Sequence, residues 1–298
     1  MAVLSIVMSL TLSCCDNDSQ DSDVSVRPDS TVLRLGLLPT YESLPFYVAD
    51  HYGLSDSLDL HLGLFTYMSA MDVDTSFARG HVDGSVCDLV KYSIMKGHGD
   101  SVSIVFCNDL SITMLSSRNS RISDSKNLKE KIFALTRNSV LDMYADKVLA
   151  ANKFESYELN KPQINNLRIR TSMLLQNQYD GTFLPEPWSS IAIAGGCTKL
   201  SVTSDMDEMS DQYCIVFNDS VLKHRGSDVK KLEQTYNAGV DYINSHPSLS
   251  KEFISLLHLP DIYGDSLVFK LPHFSHARKV SEASLSTSRK WAAGRGLL

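Results

Sequence analysis

The chain has 298 residues, enough for two domains of ordinary size or one large one. It is 43% hydrophobic and 21% charged, the balance of a globular body, and its formal net charge of −7, with no basic stripe or aromatic-basic interleaving, argues against a nucleic-acid partner. After residue 15 no run approaches the roughly 18 apolar residues that a spanning helix needs, so the body of the chain is not expected to cross a membrane.

The amino terminus differs from the rest. Ala2 to Ser13 is apolar and small, then come Cys14-Cys15 and the polar Asp16-Asn17-Asp18. A short apolar stretch ending in a small residue and a cysteine has the form of a bacterial lipoprotein signal over residues 1–14, with Ser13 as the small residue and Cys14 as the lipidated one. Cys15 fits less well, because Cys14 would then fill the small-residue position. Residues 1–26 hold no Lys or Arg, so the positive start of such a signal is expected upstream; an apolar terminus with a chance Cys pair is the plain alternative. Residues 15–31 are acidic and serine-rich with few large apolar groups, which predicts a flexible tether. A lipid, a spacer and a folded body together place a domain at a membrane surface while it works in solution.

Residues 33–38 predict a buried strand, residues 39–43 a loop, and residues 44–51 a helix closed by Gly53. In an open α/β sheet that loop is a ligand position, since it lies between a strand's carboxyl end and a helix's free N–H groups. Residues 58–65 (LDLHLGLF) alternate leucines in period two and predict a second strand. A helix follows over 71–78, stopped by Gly80, then a strand over 82–86, a helix started by Asp88, and a strand over 102–107. Strand and helix thus alternate through residue 107, which predicts a parallel sheet covered on both faces.

A second set begins at residues 110–115. It continues with a helix start at 124–128, a strand at 132–135, a strand-to-helix loop at 136–139 with Ser139 as N-cap, and a helix from Val140 with one apolar stripe. Residues 166–170 predict a strand and 173–179 a helix. After a short strand at 181–183, Pro187 can open a helix over 188–194 that Gly195-Gly196 ends. Residues 213–217 predict a strand, and 228–244, 249–257 and 277–291 predict helices. Cys87, Cys107, Cys197 and Cys214 lack metal-ligand spacing, and the nine histidines, His61, His81 and His98 among them, are scattered, so no metal or other cofactor is expected.

These residues carry a resemblance. The segment Leu44-Pro45-Phe46-Tyr47-Val48-Ala49 with Gly53 resembles the first helix of the substrate-binding proteins of ABC importers for nitrate, sulfonates, taurine and thiamine precursors. Four further segments follow in the family's order: Gly80-His81-Val82-Asp83-Gly84, residues 123–135, residues 184–196 (LPEPWSSIAIAGG) and residues 291–298. The resemblance spans residues 32–298. It implies an α/β, two-lobed periplasmic-binding-protein fold of type II, each lobe a mostly parallel sheet with helices on both faces, joined by two crossover strands near residues 108–113 and 213–217. Lobe one would be residues 32–108 plus 218–298 and lobe two 109–217, closing on a ligand by a hinge. The implied function is a lipid-anchored solute-binding protein at the periplasmic face of a bacterial membrane, expected monomeric, that delivers a small nitrogen- or sulfur-containing molecule to an ABC permease with its ATPase.

The candidate ligand residues follow from the strand-end loops. Thr40, Tyr41 and Glu42 offer a hydroxyl, an aromatic face and a carboxylate, although Glu near a helix start also serves the dipole alone. Met68, Ser69 and Asp72 occupy the next connection and Asp88 the third, where Asp is equally a good cap. Thr136, Arg137, Asn138 and Ser139 combine a cation with several small polar groups at a helix start, which suits an anionic or acceptor-rich group. Glu186 and Trp188 flank Pro187, and Trp188 could stack on a planar ligand or fill the core. A pyrimidine thiamine precursor or a sulfonate such as taurine would use both charge signs. An enzyme on the same fold, of thiamine-pyrimidine or menaquinone-pathway type, and a ligand-sensing ectodomain are the alternatives. No Cys/His cluster, orderable Ser–His–Asp set or phosphate-cradling Gly loop supports an enzyme.

Overall fold

In the computed structural model, residues 31–108, 111–201, 212–259 and 269–298 are described; the expected signal and nearly all of the tether, residues 1–30, lie outside them, as do residues 109–110 of the first crossover. Two sheets organise what remains. The first has the order β2-β1-β3-β9-β4, formed by β1 (Leu33–Leu37), β2 (Leu62–Thr66), β3 (Gly84–Asp88), β4 (Val102–Asn108) and β9 (Tyr213–Asn218). The second has the order β6-β7-β5-β8, formed by β5 (Ile112–Ser116), β6 (Phe133–Ala134), β7 (Gly181–Pro185) and β8 (Thr198–Lys199).

Each sheet holds one strand against the direction of the others. β1 runs parallel to β2 and β3, while β9 inserts antiparallel between β3 and β4. In the second sheet β6 and β7 are parallel, and β5 runs antiparallel to β7 and β8. β5 and β9 are the strands nearest the two passages between the sheets. After β4 the chain supplies the second sheet, and β9, the last strand, belongs to the first sheet again, where its six residues pair.

Alternate strand residues face opposite layers, as the period-two rule requires. On one face of the first sheet Leu33, Leu35, Leu37, Phe106, Ile215 and Phe217 pack with α1 (Leu44–His51) and α7 (Asp219–Ser245). On the other, Cys87, Cys107, Cys214 and Val216 pack with Phe77 of α2 (Ala70–Ala78) and Leu89 of α3 (Leu89–Gly97). The second sheet does the same. Met114, Phe133 and Phe183 pack on α4 (Val140–Ala151), while Leu115, Ala134 and Leu184 pack on α5 (Leu167–Leu175) and α6 (Trp188–Ala194). The four described cysteines are buried free thiols.

Several expectations need correction: the helix expected over 228–244 begins at Asp219, the crossover strand expected near 213–217 lies wholly in the first sheet, and three more follow. Residues 166–170 are not a strand: Asn166 accepts the Ile169 N–H and caps α5, and Leu167, Arg170, Thr171 and Leu174 are buried at helical spacing. The alternation of Leu167 with Ile169 misleads because Ile169 points to solvent. The strand expected over 58–65 starts only at Leu62, since Asp56–Leu58 forms a 3-10 turn ended by Asp59 in the left-handed region, φ 51°. The last helix, α9 (Glu282–Gly294), begins at its Ser281 cap rather than at Ala277, because Arg278 and Cys107 exchange both backbone hydrogen bonds beside β4.

α9 also ties the lobes together. Ala292 shares a core cluster with Val90 and Ile94 of α3 and with Val148 of α4. At its end, Trp291 Nε1–H donates to Asp146 Oδ2 at 3.0 Å and Arg295 pairs with Asp146 at 3.1 Å. Lys161 meets both Asp142 and Asp146, at 2.6 and 2.7 Å.

Candidate ligand cleft

The loop over residues 136–139 is built by its own side chains. Ser139 caps α4 by accepting the Leu141 N–H and donates its hydroxyl to the Thr136 carbonyl. Asn138 sits at φ 54°, a left-handed position that Asn tolerates better than most residues. This geometry turns Thr136, Arg137, Asn138 and Ser139 onto one wall of a cavity of ≈ 360 Å³. That size is in the ordinary range for small-molecule sites. The facing wall comes from the first sheet and its helices: Leu38, Ala70, Met71, Asp74, Asp88 and Lys91. Gln163, Asn165 and Tyr213 also line it, as do Ile94 and His98 and, near the chain end, Leu297. A larger groove of ≈ 740 Å³ runs between α3 and α9, but its lining comes from those two helices and the chain end, without a strand-end loop.

Asp88 is the pivot of the cleft. Its Oδ1 accepts the N–H groups of Val90 and Lys91, each at 3.0 Å, as the N-cap of α3. The same oxygen accepts the Val140 N–H, the first of α4, at 3.1 Å. One carboxylate thus closes the starts of two helices from opposite lobes. Burial pushes Asp88 up to about 6, with nearby Asp74 adding to the shift and the Lys91 and Val140 amides opposing it. Asp74 pairs with Lys91 at 3.2 Å; burial raises its carboxyl and Lys91 opposes that.

A second, smaller pocket of ≈ 30 Å³ shares Asp88, Thr136, Ser139 and Asn165 with this cavity and adds Arg170. Arg170 is 1% exposed. Its Nη1 donates to Thr136 Oγ1 at 3.1 Å and to the Ile164 carbonyl at 3.0 Å, while its Nε–H meets no partner among the described residues. Burial lowers its pKa. Sequence reasoning missed this residue because it read residues 166–170 as a strand; the Asn166 cap signal, at helix-start spacing, could have found it.

The remaining candidates lie elsewhere. Thr40, Tyr41 and Glu42 are buried where the first loop meets the second lobe. Tyr41 N–H donates to the Glu186 carbonyl at 3.0 Å, and Glu42 Oε1 accepts the Ser111 N–H at 3.1 Å. Trp188 is fully buried in the second lobe's core, and its Nε1–H donates across the seam to the Pro39 carbonyl at 2.9 Å. A ring so enclosed has no free face for stacking. Glu186 Oε2 accepts the Ser190 N–H at the start of α6. Ser69 caps α2, the Met68 carbonyl accepts the Leu167 N–H at 2.8 Å, and Asp72 is exposed; their neighbours Ala70, Met71 and Asp74 line the cavity in their place. Asp88 and residues 136–139 are therefore the expected residues that the structure brings together, while the others build the seam around them. Among the described residues no group of His, Cys, Asp and Glu could hold a metal ion.

No family model and no curated protein matches the sequence. Solved structures do. The periplasmic aliphatic sulphonate-binding protein SsuA of Escherichia coli superposes with a TM-score of 0.72 at 14% identity, covering 89% of this chain and 93% of its own. The periplasmic nitrate-binding protein NrtA of Synechocystis PCC 6803 gives 0.71 at 13%, covering 91% and 83%. A Candida albicans gene product described as having the generic periplasmic-binding-protein fold gives 0.62 at 13%, covering 88% and 80%. The chain has the periplasmic-binding-protein fold: two α/β lobes with a cleft between them.

Proposed function

We propose that the chain is a lipid-anchored solute-binding protein of an ABC importer, held at the periplasmic face of a bacterial membrane through Cys14. It captures a small organic nitrogen- or sulfur-containing molecule, such as a sulfonate or a pyrimidine thiamine precursor, and presents it to a permease and its ATPase. The observation that carries this reading is the ≈ 360 Å³ cavity lined from both sheets, with Asp88 on one bank and Thr136, Arg137, Asn138 and Ser139 on the other. Its work is binding and closure, with no bond made or broken. Residues 32–108, together with β9 and the chain after it, form one lobe, because Tyr213–Asn218 pair within the first sheet, and the chain between residue 108 and β9 forms the other, the two closing on a ligand by a hinge. The neighbours' names, sulphonate- and nitrate-binding proteins, support the class of solute.

A thermal-shift screen across sulfonates, thiamine-precursor pyrimidines and amino acids tests the reading, because a ligand that binds only the native state raises the melting temperature. A rise of several degrees with one class is expected; silence across all classes would overturn it. Palmitate labelling of the chain in a bacterial host should disappear in Cys14→Ser. Unchanged labelling and membrane retention would remove the anchor.

A further inference from the structure

Three of the described cysteines stand in one row across the first sheet. Cys214 of β9 is at the centre, in register with Cys87 of β3 on one side and with Cys107 of β4 on the other. All three side chains share the layer that holds Phe77 and Leu89. Both neighbouring thiols hydrogen-bond with that of Cys214, and burial together with those bonds pushes it well above the ordinary thiol value.

The two pairings differ in kind. Cys107 exchanges both backbone hydrogen bonds with Arg278, at 2.7 and 3.0 Å, so its N–H and C=O turn away from β9. Cys107–Cys214 is therefore a non-hydrogen-bonded pair, in which facing side chains stand closest. On the other ladder the Leu89 N–H donates to the Gln212 carbonyl, two places along from Cys87 and Cys214. Cys87–Cys214 is thus a hydrogen-bonded pair, its Cα atoms about 1 Å farther apart. A disulfide wants its Cβ atoms about 3.5–4.5 Å apart, which the closer pair meets more nearly. Access differs too: Cys87 lines the cavity and is 5% exposed, whereas Cys107 and Cys214 are fully enclosed.

We propose that Cys107 and Cys214 form a disulfide site, reached through Cys87, that ties together the two strands flanking the passages between the sheets. Cys107 stands one residue before the end of β4 and Cys214 one residue after the start of β9, with β5, β6, β7 and β8 between them in the chain. The bond closes the second lobe into a single covalent loop. The oxidant is a disulfide compound, of the kind an oxidising cell envelope sustains. The Cys87 sulfur attacks it, losing a proton and releasing one thiol; Cys214 then attacks the Cys87 sulfur and releases the second. Two thiols of the chain give up two electrons and two protons, and the oxidant leaves as two thiols. Cys107 next attacks the Cys214 sulfur, and the proton it loses goes to Cys87, which departs as a free thiol.

Peptide mapping of the full chain by mass spectrometry, after incubation with glutathione disulfide and blocking of the remaining thiols, tests this. The expected product links the Cys107 and Cys214 peptides and leaves Cys87 free. It should melt about 10 °C above the chain reduced with dithiothreitol, because the bond closes a long loop. Cys87→Ala should slow the reaction of the native chain about tenfold or more, since exchange depends on access. The same variant should give the same link when refolded from denaturant in a glutathione buffer. In Cys107→Ala the link should pass to Cys87 and Cys214 and yield to less dithiothreitol, as expected of the wider pair. A Cys214 peptide left unlinked in both the native and the refolded chain would overturn the inference. So would a wild-type product that stays linked between Cys87 and Cys214, or an unchanged rate in Cys87→Ala.

Discussion

Replacing Glu42 by Gln should stabilise the protein above neutral pH and do little below pH 5. Glu42 is 2% exposed at the seam between the lobes. Burial pushes its carboxyl up to about 7 from 4.5, although Thr40 and the Ser111 N–H oppose the shift. Because the folded value lies above the unfolded one, the stability this group confers is complete below 4.5 and is lost as pH rises through 7. The span from 4.5 to about 7 corresponds to a loss of about 3 kcal/mol at pH 8, with 1.36 kcal/mol per pH unit. Gln cannot ionise and keeps an acceptor for the Ser111 N–H. Its lead over the wild type should grow from about 1 kcal/mol at pH 5 to about 3 kcal/mol at pH 8, or about 6–12 °C in melting temperature. Asp88 is raised in the same sense but cancels in the comparison. Thermal unfolding of both proteins at the two pH values checks this. A gap that is equal at both, or a Gln variant that is weaker at pH 8, would refute the reasoning.

Three further outcomes are expected. Gly239→Ala would place a Cβ 2.1 Å from the Pro45 carbonyl oxygen, where α7 crosses α1, so denaturant titration should show a loss of about 1–3 kcal/mol or more. Trp188→Phe should keep most of the core packing but strand the Pro39 carbonyl, lowering stability by about 1–3 kcal/mol in the same assay. Arg137→Ala, at an exposed rim position, should change stability by less than about 0.5 kcal/mol while weakening whichever ligand the thermal-shift screen identifies; undiminished affinity would take Arg137 out of the site.

Local chemistry made part of the site legible in advance. Asp88 and Ser139 each stand just before an apolar helical stripe, where their side chains cap, and the small polar residues at 136–138 mark a loop at a strand's end. Caps are decided within a few residues, so sequence reports them well. Which loops face the cavity is decided by docking over long separations. Residues 40–42, Glu186 and Trp188 have the same local pattern as residues 136–139, yet the Tyr41–Glu186 and Trp188–Pro39 hydrogen bonds bury them in the seam. Arg170 was hidden for a different reason. A charged residue beside Leu167 and Ile169 reads as the outward position of a strand, and only the helix turn carries it inward. The insertion of β9 between β3 and β4 likewise rests on pairing across more than a hundred residues, which periodicity within β9 cannot reveal.

Hydrogen–deuterium exchange with and without a saturating ligand from the screen tests most directly whether a solute is held between the two lobes. Protection should appear together on peptides covering residues 88–94, 136–143 and 163–170, which belong to opposite banks of one cavity. Protection confined to one bank, or to the groove between α3 and α9, would contradict the account.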